Sequence, residues 1–76
     1  MERLPVQSSN IASIGHDADR NVLEVEFKDS GRIYEYGNVN VDEAAALLRA
    51  KSVGSHFANI IRPVKPATLI FNGPRR

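Results

Sequence analysis

With 76 residues and a net charge of +1, the chain has room for one small domain and one modest core. Its composition, 42% hydrophobic and 25% charged, excludes a disordered segment, and the absence of cysteine excludes disulfides, thiolate metal sites and cysteine nucleophiles. No stretch approaches the roughly 20 apolar residues of a membrane span, and MERLPVQSSN lacks the apolar core of a leader, so no membrane partner and a reducing, cytoplasmic setting are expected.

From Ser8 to Val39 three apolar runs are separated by the turn clusters DADRN and DSG. They predict strands at about 11–16, 22–28 and 32–38, joined as an antiparallel meander. In VLEVEFK, Leu23, Val25 and Phe27 share one face and Glu24 and Glu26 the other, which is expected to meet water. Tyr34 and Tyr36, the only two tyrosines, lie two apart in the third strand and must point the same way. A two-residue loop at Ser30-Gly31 pairs Phe27 with Tyr34 and Val25 with Tyr36 and turns both rings to the core. An odd-length loop would set them among Glu24 and Glu26 and bury the carboxylate of Glu35, at a cost of several kcal/mol. Inward tyrosines are therefore expected, and as architecture rather than as a platform for stacked bases.

VDEAAALLRAKS changes the period. Asp42 and Glu43 suit the positive end of a helix dipole and Arg49 and Lys51 the negative end, which predicts a helix over 41–50 capped by Asn40, with Ala44, Leu47 and Leu48 as its core stripe. Ser52 is placed to cap a second helix carrying Phe57, Ile60 and Ile61 inward. Pro63 and Pro66 stop it, leaving RPVKPATLIFNGPRR as an extended basic tail in which TLIF either adds an edge strand or packs on the domain, and is exposed if the tail hangs free. The fold expected is α+β: a three-stranded antiparallel meander with two short helices on one face, β-β-β-α-α, over residues 1–62, followed by the tail 63–76.

The charge is divided unevenly. Residues 1–43 hold nine acids against four bases, a net −5, whereas 44–76 hold Arg49, Lys51, Arg62, Lys65, Arg75 and Arg76 with no acid, a net +6. A polyanion would meet the second half. In KSVGSHFAN the amides beyond a Ser52 cap, the close approach allowed by Gly54 and the charge of Arg49 and Lys51 form a candidate phosphate site; the competing reading is a plain helical corner. His16, Asp17 and Asp19 in HDAD invite a catalytic or metal reading. A turn rich in Asp needs no such role, two histidines without cysteine make no visible ligand set, and no nucleophile elbow, phosphate loop or dinucleotide fingerprint occurs.

LEVEF, GRIYEYGNV and LLRAKSVGSHFANII, in that order, resemble the KTSC domain, which is named for its occurrence at the C-terminus of some lysyl-tRNA synthetases and is also found as a stand-alone bacterial or phage protein. Tyr34-Glu35-Tyr36 matches its central Tyr-x-Tyr, and Ser52, Gly54, His56, Phe57 and Asn59 its later segment, with His56 where a tyrosine is frequent. Ser8, Ser9, Ile11, Ile14, Gly15 and Asp17 fit its opening. The resemblance spans about residues 6–62 and implies nucleic-acid binding only through the association with synthetases.

The sequence thus predicts a non-catalytic module without cofactor or metal, binding RNA or another nucleic acid through Arg49, Lys51, Ser52, Gly54, Ser55, Arg62 and Lys65, with Tyr34, Tyr36, Phe57 and Asn59 serving the fold. The alternative is a protein-interaction module, self-associating through a sheet edge or ATLIF.

Overall fold

A computed structural model describes residues 2–73. Arg75 and Arg76 of the basic tail lie outside the described residues. The sheet has five antiparallel strands in sequence order: β1 (Leu4–Pro5), β2 (Ile11–Asp17), β3 (Val22–Phe27), β4 (Ile33–Tyr36) and β5 (Ala67–Phe71). Helices α1 (Val41–Arg49) and α2 (Val53–His56), the latter running into a π-turn over Phe57–Ile61, cover one face.

The expected three-stranded meander is therefore corrected to five strands. Its three members are present, and the sheet is extended at both edges. β1 is two residues long, too short for any period to register, and β5 lies beyond two prolines in what reads as a tail. Pro66 ends the tail's freedom, since its carbonyl accepts from Gly37 N at 2.9 Å and starts β5 alongside β4.

The β3–β4 loop has the expected parity but twice the expected length. Residues 28–31 form it, with Gly31 at φ 69 and its N–H bonded to the Phe27 carbonyl. The register is consequently Val25 opposite Tyr34 and Leu23 opposite Tyr36, shifted by two from the two-residue loop. A shift of two preserves the face, and both tyrosines do point to the helices.

A bulge between Ile11 and Ser13 lets β2 place both Ile11 and Ile14 in the core despite their odd spacing. Asn40 caps α1 by accepting from Glu43 N at 2.8 Å while Glu43 Oε1 accepts from Asn40 N at 3.0 Å, a reciprocal capping box. Ala44 and Leu47 are buried, but Leu48 is 44% exposed, so the inward stripe is narrower than its spacing predicts. Ile60, expected inside, is 55% exposed. The cause is the π-turn: Arg62 N bonds to the Phe57 carbonyl, five residues back, and the wider turn keeps Phe57 and Ile61 on the inner face while swinging Ile60 out.

The outer face of the sheet is not simply a wet acidic surface. Glu2 and Arg3 cross over Gly15, where an added Cβ would stand 2.6 Å from the Glu2 carbonyl oxygen. Arg3 pairs with Glu24, which is enclosed rather than exposed, and donates to Ser13 Oγ at 3.1 Å; Ser13 in turn donates to Glu26 at 2.8 Å. Arg20 bridges Asp17 at 3.0 Å and Glu35 at 2.8 Å. These pairs hold together side chains that would otherwise repel across β3 and β4, where Glu24 lies directly opposite Glu35.

Phe57 joins the two layers and is 1% exposed, so Phe57→Ala is expected to cost about 3–5 kcal/mol of unfolding free energy. Asn40→Ala, which removes one cap, should cost about 1 kcal/mol. Urea denaturation of the two variants checks both values, and equal losses would contradict this division of roles.

Candidate nucleic-acid interface

Four aromatic rings form a closed cycle where β3 and β4 meet the π-turn. Phe27 lies 5.8 Å from Tyr34 and 5.8 Å from Phe57 between ring centroids; Tyr36 lies 6.4 Å from Tyr34 and 5.0 Å from Phe57. Three of the contacts are edge-to-face, the arrangement that ring quadrupoles favour. Phe57 fills the interior, while Phe27 and Tyr34 are only half-buried. They are half-buried because the helical layer stops short of β5, and an open cleft of about 510 Å³ remains over this corner.

Phe27, Tyr34, Tyr36 and Ala67 line the cleft together with Asn10, Asp29, Ser30, Arg32 and Arg62. The π-turn ends at Arg62 and brings its guanidinium to the mouth, close enough to act on Tyr36. Burial pushes the Tyr36 hydroxyl above its usual range, the positive charge of Arg62 pulls partly against this, and Tyr34 adds to the rise. The cleft thus presents aromatic surface flanked by two arginines, one of them on an exposed turn end, and by one carboxylate, Asp29.

The residues singled out in the sequence fall in five places. Ser52, Gly54 and Ser55 line a second, smaller polar depression of about 330 Å³ with Ser8, Ser9, Asn10 and Ala58. There Ser52 Oγ accepts from Ser55 N at 3.2 Å, and Gly54 admits the Ser8–Asn10 loop, since a Cβ would lie 2.8 Å from Asn10 Oδ1. Ser52 thus caps α2, and Gly54 makes a close contact with the Ser8–Asn10 loop. Lys51 borders a separate groove with Leu4 and Leu48, and Arg49 is exposed at the end of α1. Arg62 belongs to the aromatic cleft. Lys65 is otherwise engaged: its ammonium donates to the Asn38 carbonyl at 2.6 Å and pairs with Glu43 at 2.8 Å, closing the capping box against the entry to β5. The expected basic patch is therefore dispersed, and Asn10 is the one residue common to the two depressions.

HDAD is held by hydrogen bonds within the turn and to a neighbouring loop. The Val39 carbonyl can only accept, so the 2.6 Å contact with His16 Nε2 fixes the proton on that nitrogen, while Asp17 Oδ1 accepts from Asp19 N at 3.1 Å and Arg20 N at 3.4 Å. The Arg20 side chain holds the Asp17 carboxyl below its usual range. Among the described residues no group of three or more potential ligands is placed to hold a metal ion, and no helix is long and apolar enough to cross a membrane.

Sequence comparison adds that the family model of the KTSC domain matches residues 7–64. The chain belongs to the KTSC domain family. The crystal structure of a KTSC domain protein from Yersinia pestis superposes with a TM-score of 0.86 at 35% identity, covering 91% of this chain and 96% of that one. An uncharacterized protein of Stutzerimonas stutzeri is 43% identical over 63 residues, 83% of this chain and 87% of its own length. In this KTSC domain the Tyr-x-Tyr pair and Phe57 supply three of the four rings, whereas Asn59 sits exposed on the π-turn. The contact of Phe27 with Tyr34 is expected from the sequence, whereas Arg62 went unrecognised as a neighbour of the tyrosines. Phe27 falls on the same strand face as Val25, which is visible in sequence, but the approach of Arg62 depends on the π-turn, which is not.

Glu43 carries a pH-dependent contribution. Its carboxyl is held below the usual range, first by Lys65 and then by the Asn40 amide. A carboxyl depressed in the folded state stabilises above its unfolded pKa, and that stabilisation is lost as pH falls through the folded value. Glu43→Gln should therefore lower Tm near neutrality and converge on the wild-type Tm in acid, where thermal melts from pH 7 to pH 2 (about the span over which such carboxyls titrate) provide the check. A constant offset across that range would refute the role of the ionised pair.

Proposed function

We propose that this KTSC domain is a non-catalytic cytoplasmic module that binds single-stranded nucleic acid, RNA before DNA, in the cleft over β4 and β5. The observation that carries the reading is the convergence of Phe27, Tyr34 and Tyr36 with Arg62 and Arg32 on one open cleft. Aromatic faces accept bases whatever their identity, stacking being worth about 1–3 kcal/mol per base, and flanking arginines meet the phosphates. Only Tyr34 and Phe27 are exposed enough to receive a base; Tyr36, 4% exposed, supplies the hydroxyl edge at the back of the cleft. The association with lysyl-tRNA synthetases that the family resemblance implies agrees with RNA as the ligand, and the absence of cysteine agrees with the location. The opposite sheet face, with Glu24, Glu26 and Glu35, is unsuited to phosphate.

The chain has two tyrosines and no tryptophan, so its intrinsic fluorescence reads the cleft directly. Titration with a short mixed-sequence RNA at low and moderate salt should quench it, more weakly as salt rises. Tyr34→Ala should reduce affinity about 5- to 100-fold, as expected for one lost stacked base. Arg62→Ala should weaken binding to all sequences and lower the salt slope by about one. Lys51→Ala, off the cleft, should change affinity far less than Arg62→Ala; the reverse order would move the interface to the α1–α2 corner. Non-specific binding of nucleic acid typically has Kd of about 10⁻⁴–10⁻⁶ M, so unchanged fluorescence at millimolar RNA would refute the reading.

A further inference from the structure

β5 is the last strand of the sheet, and all five of its residues, Ala67, Thr68, Leu69, Ile70 and Phe71, are exposed. Its outer backbone edge is unpaired among the described residues, and the strand itself contains no charge and no proline, two of the devices that keep sheet edges apart. A third device is present in part: the register shift against Ile33 and Tyr34 makes Ile70 a bulge, leaving Ala67–Leu69 as the regular segment. The opposite edge is closed to growth, because β1 is two residues long and Pro5 has no N–H to offer.

We propose that β5 pairs antiparallel with β5 of a second copy of this chain, about a two-fold axis through Thr68. The regular segment sets the axis. It places Thr68 opposite its own copy, a favourable cross-strand pair, and Leu69 opposite the partner's Ala67, large against small on both sides of the seam. Because the β1 edge cannot continue the ladder, the association closes at two chains rather than growing into a fibre. Capture of an unrelated strand would supply the same backbone bonds but not this match.

An antiparallel seam keeps both copies' clefts on one face of the joined sheet, with the two β4 strands three strand spacings, about 14 Å, apart. The pairing stands independently of the nucleic-acid reading; only its consequence, that one ligand strand meets two clefts, rests on it.

The test is sedimentation equilibrium of the wild-type chain from low micromolar to near-millimolar concentration, together with single-cysteine variants of this cysteine-free sequence. A monomer–dimer equilibrium is expected. Thr68→Lys should abolish it while leaving the fold intact, because a lysine there lies opposite Glu35 within the chain but opposite a like charge across the seam. Under mild oxidation Thr68→Cys should form a covalent dimer rapidly, its two copies standing within disulfide reach. Ile70→Cys, whose copies stand about 13 Å apart along the strands, should form one no faster than the off-strand control Val64→Cys. A wild type that stays monomeric throughout, or Thr68→Cys that cross-links no faster than Val64→Cys, would overturn the proposal. Neither result bears on RNA quenching by the monomer, so the two readings fail separately.

Discussion

The helical layer is keyed to the sheet by one closed cycle of aromatic contacts, in which Phe57 from the π-turn touches Phe27 and Tyr36 while Tyr34 links those two from the sheet side. Each ring is fixed by two others, so none can move without breaking edge-to-face contacts worth about 0.5–1.5 kcal/mol each. The rest of the architecture can be read as what this cycle requires. Ser52 starts α2 where Phe57 then falls one turn later; the π-turn keeps Phe57 and Ile61 inward together; and the even-length β3–β4 loop sends both tyrosines to the same face. In a domain this small, with a core of about a dozen side chains, such a cycle supplies a large share of the specificity of packing.

The opposite face of the sheet follows a different rule. Four carboxylates, Asp17, Glu24, Glu26 and Glu35, share it, and two arginines from distant points of the chain, Arg3 and Arg20, lie among them. Arg3 arrives only because Gly15 leaves space for the N-terminal residues to cross the strand. The result is a face with its acids engaged locally, and Arg32, Arg49, Lys51 and Arg62, which form no ion pair among the described residues, lie elsewhere, with Arg32 and Arg62 at the aromatic corner. That separation is what the uneven charge along the sequence becomes in three dimensions, although less completely than a simple division into halves suggests. Lys65 is drawn back into the capping box, and Arg3 and Arg20 act on the acidic side.

How much of this is legible in the sequence depends on the length of the signal. β2, β3 and β4 carry alternation over four to seven residues, and α1 carries both period and a capping box, so their existence, order and facing can be read directly. β1 has two residues and no period; β5 has the composition of a strand but lies behind Pro63 and Pro66, and its pairing with β4, which the Gly37–Pro66 hydrogen bond extends, has no local signal. Parity of the β3–β4 loop is fixed by where Glu35 must go, but its length is not, because two and four residues bury the same side chains. Leu48 and Ile60 fit a helical stripe in sequence and are outside it in space, Ile60 because a π-turn rotates it outward. The surroundings of the tyrosines are hidden in the sequence for a related reason. The choice between core and platform for the tyrosines assumed that one face has one environment, whereas here the same face is roofed at Tyr36 and open at Tyr34.

That mixed environment follows from the dimensions of the layers. Five strands about 4.8 Å apart span about 19 Å, whereas the core that α1, α2 and the π-turn cover is supplied by only three of them. The buried cluster accordingly draws on β2, β3 and β4, and β5 contributes nothing to it. A sheet that extends beyond its roof on the β5 side exposes the aromatic side chains nearest the gap and the apolar strand that forms its border. The open aromatic cleft and the bare edge of β5 are thus two consequences of a single mismatch. A substitution that extended the roof over β4 would close the first without affecting the hydrogen-bonding capacity of the second, because a strand edge is exposed in the plane of the sheet and a face perpendicular to it. For that reason the proposed ligand binding over Tyr34 and the proposed chain pairing along Thr68 are compatible in one molecule, and neither surface has to be given up for the other to be used.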